Sequence, residues 1–288
     1  MEYQAQNLRD FVKQHQRHAR VLAVTSGKGG VGKTSTSVNL GIALAAKGQR
    51  VTLLDADLGL ANVEVLLGLN SLYNLQHVIT GERHMRQIVV QGPGGIGLVP
   101  GSSGIAKLAD LGPIARENII RGLGELQEDA DFVIIDTMAG IGQNAVAFAA
   151  AADEVLLVTT PEPSAIVDAY AMVKTIHQLR ADAVFRLIVN MAVNSAQANM
   201  VASKLDHVAQ QYLGRTLAYA GYIPRDPHVA QAVMQTTPFF LRYPMAPATK
   251  SVQDIADALM RQKLEQERGN RPGFLRRIVQ NLGLVSNA

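Results

Sequence analysis

The chain has 288 residues, 48% of them hydrophobic and 18% charged, a balance that supports a sizeable core and excludes a disordered or low-complexity polypeptide. It contains no cysteine, which rules out disulfides, thiolate zinc sites, cysteine-held iron–sulfur clusters and a cysteine nucleophile. The formal charge of +3 is uneven: residues 1–20 carry four Lys/Arg and two acids, residues 261–288 six and two, and the body between is slightly acidic. Residues 4–18 place Ala5, Leu8, Phe11 and Val12 at helical spacing among polar residues, so a short amphipathic helix is expected, and its charges leave no apolar core for a signal peptide. RVLAVT (20–25) reads as a buried strand running into a glycine-rich turn, and residues 34–47 as a helix stopped at Gly48. Further apolar strands are expected at 50–57, 95–100, 131–137, 154–160, 185–191 and 217–224. Helices at about 114–128, 143–152, 164–180, 197–212, 227–236 and 249–267 alternate with them. This alternation predicts an α/β fold, a single Rossmann-like three-layer domain with a mainly parallel sheet and helices on both faces. The longest apolar stretch, 145–160, is broken by Asp153 and Glu154, so no span across a membrane is expected and the protein is read as cytoplasmic. GNRPG (269–273) reads as a hinge, dividing the chain into 1–19, 20–268 and a tail, 269–288.

The run GKGGVGKT (27–34) fits G-x-x-x-x-G-K-[ST] and falls between a strand and a helix, where the phosphate-binding mechanism needs it. Backbone N–H groups of Gly27, Lys28, Gly29, Gly30, Val31 and Gly32 can curl around phosphate oxygens at a helix N-terminus. Lys33 can bridge β- and γ-phosphates, Thr34 can ligate Mg²⁺, and Ser35 completes the first turn. Asp55 and Asp57 close the second strand and Asp136 closes the strand DFVIIDT, all at the edge of the sheet where ligands bind. Asp136 is expected to hold Mg²⁺ directly or through water, and Asp57 to orient the attacking water near the same ion.

The second lysine of the loop, Lys28, gives K-G-G-V-G-K-T, and with it the sequence resembles the deviant-Walker ATPases, the group of MinD, ParA, Soj and the nitrogenase iron protein, over residues 20–260. That resemblance implies two subunits sandwiching two ATP molecules, with Lys28 reaching the neighbour's phosphates like an arginine finger. It also implies a first switch in DADLGLANVEVLLGL (55–69) and a second in DTMAGIG (136–142), the latter with Asp136, Ala139 and Gly140 sensing the γ-phosphate. Asn190 and the Pro224, Arg225, Asp226 loop lie where the family contacts adenine. The missing cysteines set aside the iron–sulfur relatives.

The tails resemble those of the flagellar regulators FlhG, also called FleN or YlxH. Phe274, Leu275, Ile278, Val279 and Leu282 form an apolar stripe, with Arg276 and Arg277 on the remaining face, the pattern of an amphipathic helix for anionic lipids of the inner membrane; packing onto the protein's own body gives the same stripe. Tyr3-Gln4-Ala5-Gln6-Asn7-Leu8-Arg9 resembles the activator pattern D-Q-A-x-x-L-R, with Tyr3 in place of the acid. Gln4, Ala5, Leu8 and Arg9 are thereby expected to touch the GTPase FlhF. The resemblance further implies a slow, dimer-dependent ATP hydrolysis and a protein reversibly peripheral at the membrane's inner face. A flagellar transcription activator and flagellar switch components are implied partners, with no specific nucleic acid. The alternatives are a MinD-like division-site ATPase and a ParA-like DNA-segregation ATPase, the latter requiring binding that falls steeply with salt.

Overall fold

The computed structural model describes residues 19–57, 62–102, 111–266 and 273–281. The expected N-terminal helix with Gln4, Ala5, Leu8 and Arg9, part of the first switch, most of the hinge, and Leu282 lie outside the described residues.

Eight strands form one sheet in the order β3-β4-β2-β5-β1-β6-β7-β8. Their ranges are β1 Arg20–Thr25, β2 Val51–Ala56, β3 Val90–Gln91, β4 Gly97–Val99, β5 Phe132–Thr137, β6 Glu154–Thr159, β7 Phe185–Ala192 and β8 Ala218–Pro224. All pairings are parallel except β3 with β4. Every residue of β1, β2, β5 and β6 is buried, as continuous apolar runs between two helical layers require. One core lies on each side of the sheet, the first around Val21, Ile135 and Leu157, the second around Leu22, Ile134 and Leu156. Strand side chains alternate between them.

The expected strands and long helices are present, most with ends displaced by one or two residues. The pattern did not disclose β3 or the short helices Asn62–Leu67, Leu75–Ile79, Met85–Ile88 and Phe239–Arg242. None is long enough to show a hydrophobic period, and each is defined by contacts with longer elements. Helix Leu75–Ile79, for example, is capped by Asn74, whose side chain accepts from Gln76 N at 3.0 Å while its own N–H donates to His77 Nδ1 at 3.2 Å.

The C-terminal helix, Phe274–Asn281, takes the second of the two placements its stripe allows, packing onto the protein's own body. Its stripe does not face outward: Phe274, Leu275, Ile278 and Val279 are buried in the first core, against helix Gln143–Ala151. Six of the nine residues of that helix are alanine or valine, which lets the tail approach closely. Arg277, expected on the polar face, is buried too. Its Nε donates to Ala151 O at 2.6 Å, an end-of-helix carbonyl with no helical partner of its own, and its guanidinium pairs with Asp153.

Candidate nucleotide site

β1 lies at the centre of the sheet, between β5 and β6, so the loop that follows it opens at the C-terminal edge beside the ends of both neighbours. Gly30 and Gly32 adopt φ of 78° and 84°, values that a side chain would resist, and Gly32 serves as the left-handed N-cap of helix Lys33–Ala45. At Gly27 close approach is the constraint: a Cβ there would stand 2.0 Å from the Asp168 carbonyl oxygen. Gly29 and Gly30 have open space before them, as a phosphate cradle requires.

The two lysines of the loop point to different surroundings. Lys33 is buried, its Nζ 2.9 Å from Asp136 Oδ1, while Lys28 lies at the surface with its Nζ 2.8 Å from Glu162 Oε2 and 2.9 Å from Ser164 Oγ. Glu162 is the N-cap position of helix Pro163–Leu179. The hydrogen bond and charge of Lys28 hold its carboxyl below the usual range. Neither Glu162 nor Ser164 belongs to a phosphate-loop pattern, and the only sequence signal was their place just past a strand end.

Asp136 is fully buried and accepts from Thr34 Oγ1 at 2.7 Å through Oδ2 and from Ser37 Oγ at 2.6 Å through Oδ1. Asp55 is its register partner on β2, also fully buried. Burial, reinforced by the Asp136 charge, pushes the Asp55 carboxyl up to about 7, despite bonds from the N–H groups of Asp57 and Val63. Asp57 is half-buried at the sheet edge, with its N–H given to Asp55 Oδ1 at 3.1 Å. Gly140, at φ 85°, donates its N–H to Ser26 O at 2.8 Å and ties the second switch to the phosphate loop; the neighbouring Ala139 is exposed.

Of the residues expected around adenine, Asn190 touches the phosphate loop, and Asn190 and Asp226 are both internally engaged. Asn190 donates through Nδ2 to Val31 O at 2.8 Å and accepts from Met191 N at 2.9 Å, so it clamps the phosphate loop. Asp226 caps helix Pro227–Met234 through His228 N and also receives Ala248 N at 3.1 Å. Burial pushes its carboxyl up, but these bonds and His228 hold it below the usual range. Arg225 is exposed, and Pro224 ends β8 at half burial.

The donor set suits a nucleotide with Mg²⁺. Thr34 Oγ1 and Asp136 Oδ2 are hard oxygen donors side by side, and among the described residues no cluster of three or more His, Cys, Asp or Glu forms an all-protein cage. A magnesium site built mainly of phosphate and water needs no more than these. Ser35 Oγ, in the first turn of the helix that leaves the cradle, is buried without a hydrogen-bond partner and can donate to a bound acceptor.

This combination of a parallel sheet, a glycine-rich loop capping a helix and a buried strand-end aspartate defines a P-loop NTPase. The profile of the ParA family, described as NUBPL iron-transfer P-loop NTPase, matches residues 17–260, and the chain belongs to that family, as a MinD/ParA-type ATPase. It is 40% identical over 263 residues to the antiactivator FleN of Pseudomonas aeruginosa, covering 91% of this chain and 94% of that protein. Against the flagellum site-determining protein YlxH of Helicobacter pylori identity is 34% over 272 residues, 92% of each chain. The solved MinD of Pyrococcus horikoshii, complexed with Mg-ADP, superposes with a TM-score of 0.69 at 22% identity, over 88% of this chain and all of that one.

Proposed function

We propose that this chain is an ATP-switched regulator of flagellar number and placement, in which ATP and Mg²⁺ join two subunits face to face and hydrolysis parts them. The observation that carries the reading is the division of labour between two lysines on one loop: Lys33 serves its own subunit from inside, whereas Lys28 stands outside, in a surface ion pair it can exchange. A second copy bringing phosphate to Lys28 gives that lysine a stronger partner than a solvated carboxylate. The flagellar assignment is supported by the likeness to FleN and YlxH.

In this reading the loop backbone, Lys33, Thr34 and Ser35 hold the phosphates, Thr34 and Asp136 hold Mg²⁺, and Asp57 orients the water. The ion, when bound, neutralises charge on the transferring phosphoryl group. Pro224 and Arg225 border the adenine side, where Asn190 and Asp226 fix the surrounding backbone. Ala139 and Gly140 relay the presence of γ-phosphate to the dimer face.

Residues 269–288 act as a separable unit. The C-terminal helix leaves its groove in the ATP dimer, and Phe274, Leu275, Ile278, Val279 and Leu282 then meet anionic lipid, two copies giving avidity that one short helix lacks. The N-terminal segment, with Gln4, Ala5, Leu8 and Arg9, engages the GTPase FlhF. A flagellar transcription activator and the flagellar switch are further partners. Among the described residues no helix is long and apolar enough to cross a membrane.

Sedimentation onto anionic liposomes tests this, with ADP or a nonhydrolysable ATP analogue, for the full chain and a chain truncated before Gly273. Binding that needs both the analogue and the tail is the expected result. Binding indifferent to nucleotide, or unchanged by truncation, would overturn the membrane part of the reading.

A further inference from the structure

Asp136 is gripped from two sides by one turn of helix Lys33–Ala45. Thr34 Oγ1 donates to Oδ2 at 2.7 Å and Ser37 Oγ to Oδ1 at 2.6 Å. Residues three apart share a helix face, so the turn after the phosphate loop brings both hydroxyls to the strand end. Ser37 is fully buried, and its hydroxyl also lies 3.1 Å from Lys33 O; with one proton to give, its shorter contact is the carboxylate. The phosphate-loop pattern ends at Thr34 and does not include it.

The carboxylate torsion of an aspartate has no sharp staggered minima, so its plane is set by partners. Lys33 Nζ, 2.9 Å from Oδ1, is one such partner, but it is the group that phosphate would draw away. Thr34 is another, and its bond to Oδ2 gives way when both oxygens turn to a metal. Ser37 alone among these three is not drawn off by phosphate or metal, its one other acceptor being Lys33 O at 3.1 Å.

We propose that Ser37 is a positioning residue for Mg²⁺: its hydroxyl holds Asp136 Oδ1, so that Oδ2 and Thr34 Oγ1 are presented together as a pair of oxygens. The proposal rests on the reading that Thr34 and Asp136 take the ion. Hydrogen bonds behind a metal ligand commonly alter metal affinity tenfold or more when removed.

The test is magnesium chloride titration of the full chain carrying N-methylanthraniloyl-ADP, followed by the nucleotide's fluorescence. Ser37→Ala removes the donor, and Ser37→Cys keeps nearly the same volume with a weak donor, so the second variant reports if the first does not fold. Both are expected to raise the Mg²⁺ concentration at half-saturation by about tenfold, while nucleotide affinity in EDTA stays at the wild-type value. Half-saturation unchanged in a folded variant would overturn the role of Ser37, as would an equal loss of affinity in EDTA, which marks a packing defect. Thr34→Ala separates the two readings: a magnesium response lost there but unaltered by Ser37→Ala sinks only the present proposal. A wild-type protein with no magnesium response sinks the metal assignment with it.

Discussion

Lys28 and Glu162, 134 positions apart in the chain, are joined by an ion pair of 2.8 Å at the mouth of the nucleotide site. The pair is solvent-exposed and so is readily exchanged, which leaves Lys28 a charge that another partner can take. Lys28→Ala is expected to keep ADP affinity within about threefold of wild type, because Lys33 and the loop backbone remain. Turnover should drop by about 10³-fold or more, the scale set by arginine-finger removal, and the ATP-dependent dimer should be lost in sedimentation velocity. Glu162→Gln, by contrast, should leave turnover within a few-fold of wild type.

Gly27 is the loop position held against the backbone of another helix. Its hypothetical Cβ would meet Asp168 O at 2.0 Å and Asp168 C at 2.1 Å, backbone atoms of helix Pro163–Leu179 that cannot turn aside. Gly27→Ala therefore has to displace either the loop or that helix. Isothermal titration should show nucleotide affinity reduced by about 100-fold, whereas Gly29→Ala, with open space around it, should bind within about fivefold of wild type.

The Asp55 carboxyl dictates a pH dependence. Its value of about 7 in the fold lies above the 3.8 of an ordinary aspartate, so between those limits the native state holds a proton that the unfolded state has released. Stability of the nucleotide-free protein consequently falls as pH rises from about 4 to about 7, and is unaffected by this group below that window. Asp55→Asn should flatten the slope and stabilise the protein at pH 8 by roughly 2–4 kcal/mol, read from urea unfolding at a series of pH values.

Asp153 holds the C-terminal helix from outside its apolar face. One of its oxygens pairs with Arg277 and the other accepts Val21 N at 2.9 Å, so a single carboxylate joins the start of β1 to the docked tail. Asp153→Asn weakens the ion pair without altering the tail's own sequence. Without ATP it should raise liposome binding by about fivefold to tenfold, and hydrogen exchange of residues 274–281 should accelerate. Unchanged exchange would mean that burial of Phe274 and Ile278 by itself sets the docking strength.

Much of the site was legible in advance because its parts are local. Gly27 to Thr34 are contiguous, and a strand before them and a helix after them can be read from apolar runs and a glycine stop. Asp136 was legible for a similar reason: four apolar residues ahead of it place it at a buried strand's end. Asn190 and Asp226 show the limit of such reading. Asn190 lies within β7 and Asp226 just past β8, and what each side chain touches, Val31 at 159 positions away in one case and Ala248 at 22 in the other, depends on other segments of the chain.

The amino-acid sequence by itself determined the layered α/β architecture, the phosphate loop and the strand-end acids, since hydrophobic period and glycine placement act within a few residues. Only the tertiary structure decided that Glu162 and Ser164 receive Lys28, that Ser37 braces Asp136, and that the C-terminal stripe is covered. An apolar stripe with arginines beside it suits a bilayer and a protein groove equally, because both remove the same surface from water. What distinguishes them here is the alanine-rich face of helix Gln143–Ala151 and the acceptors Ala151 O and Asp153 waiting for Arg277, about 125 residues earlier in the chain and brought alongside by the fold.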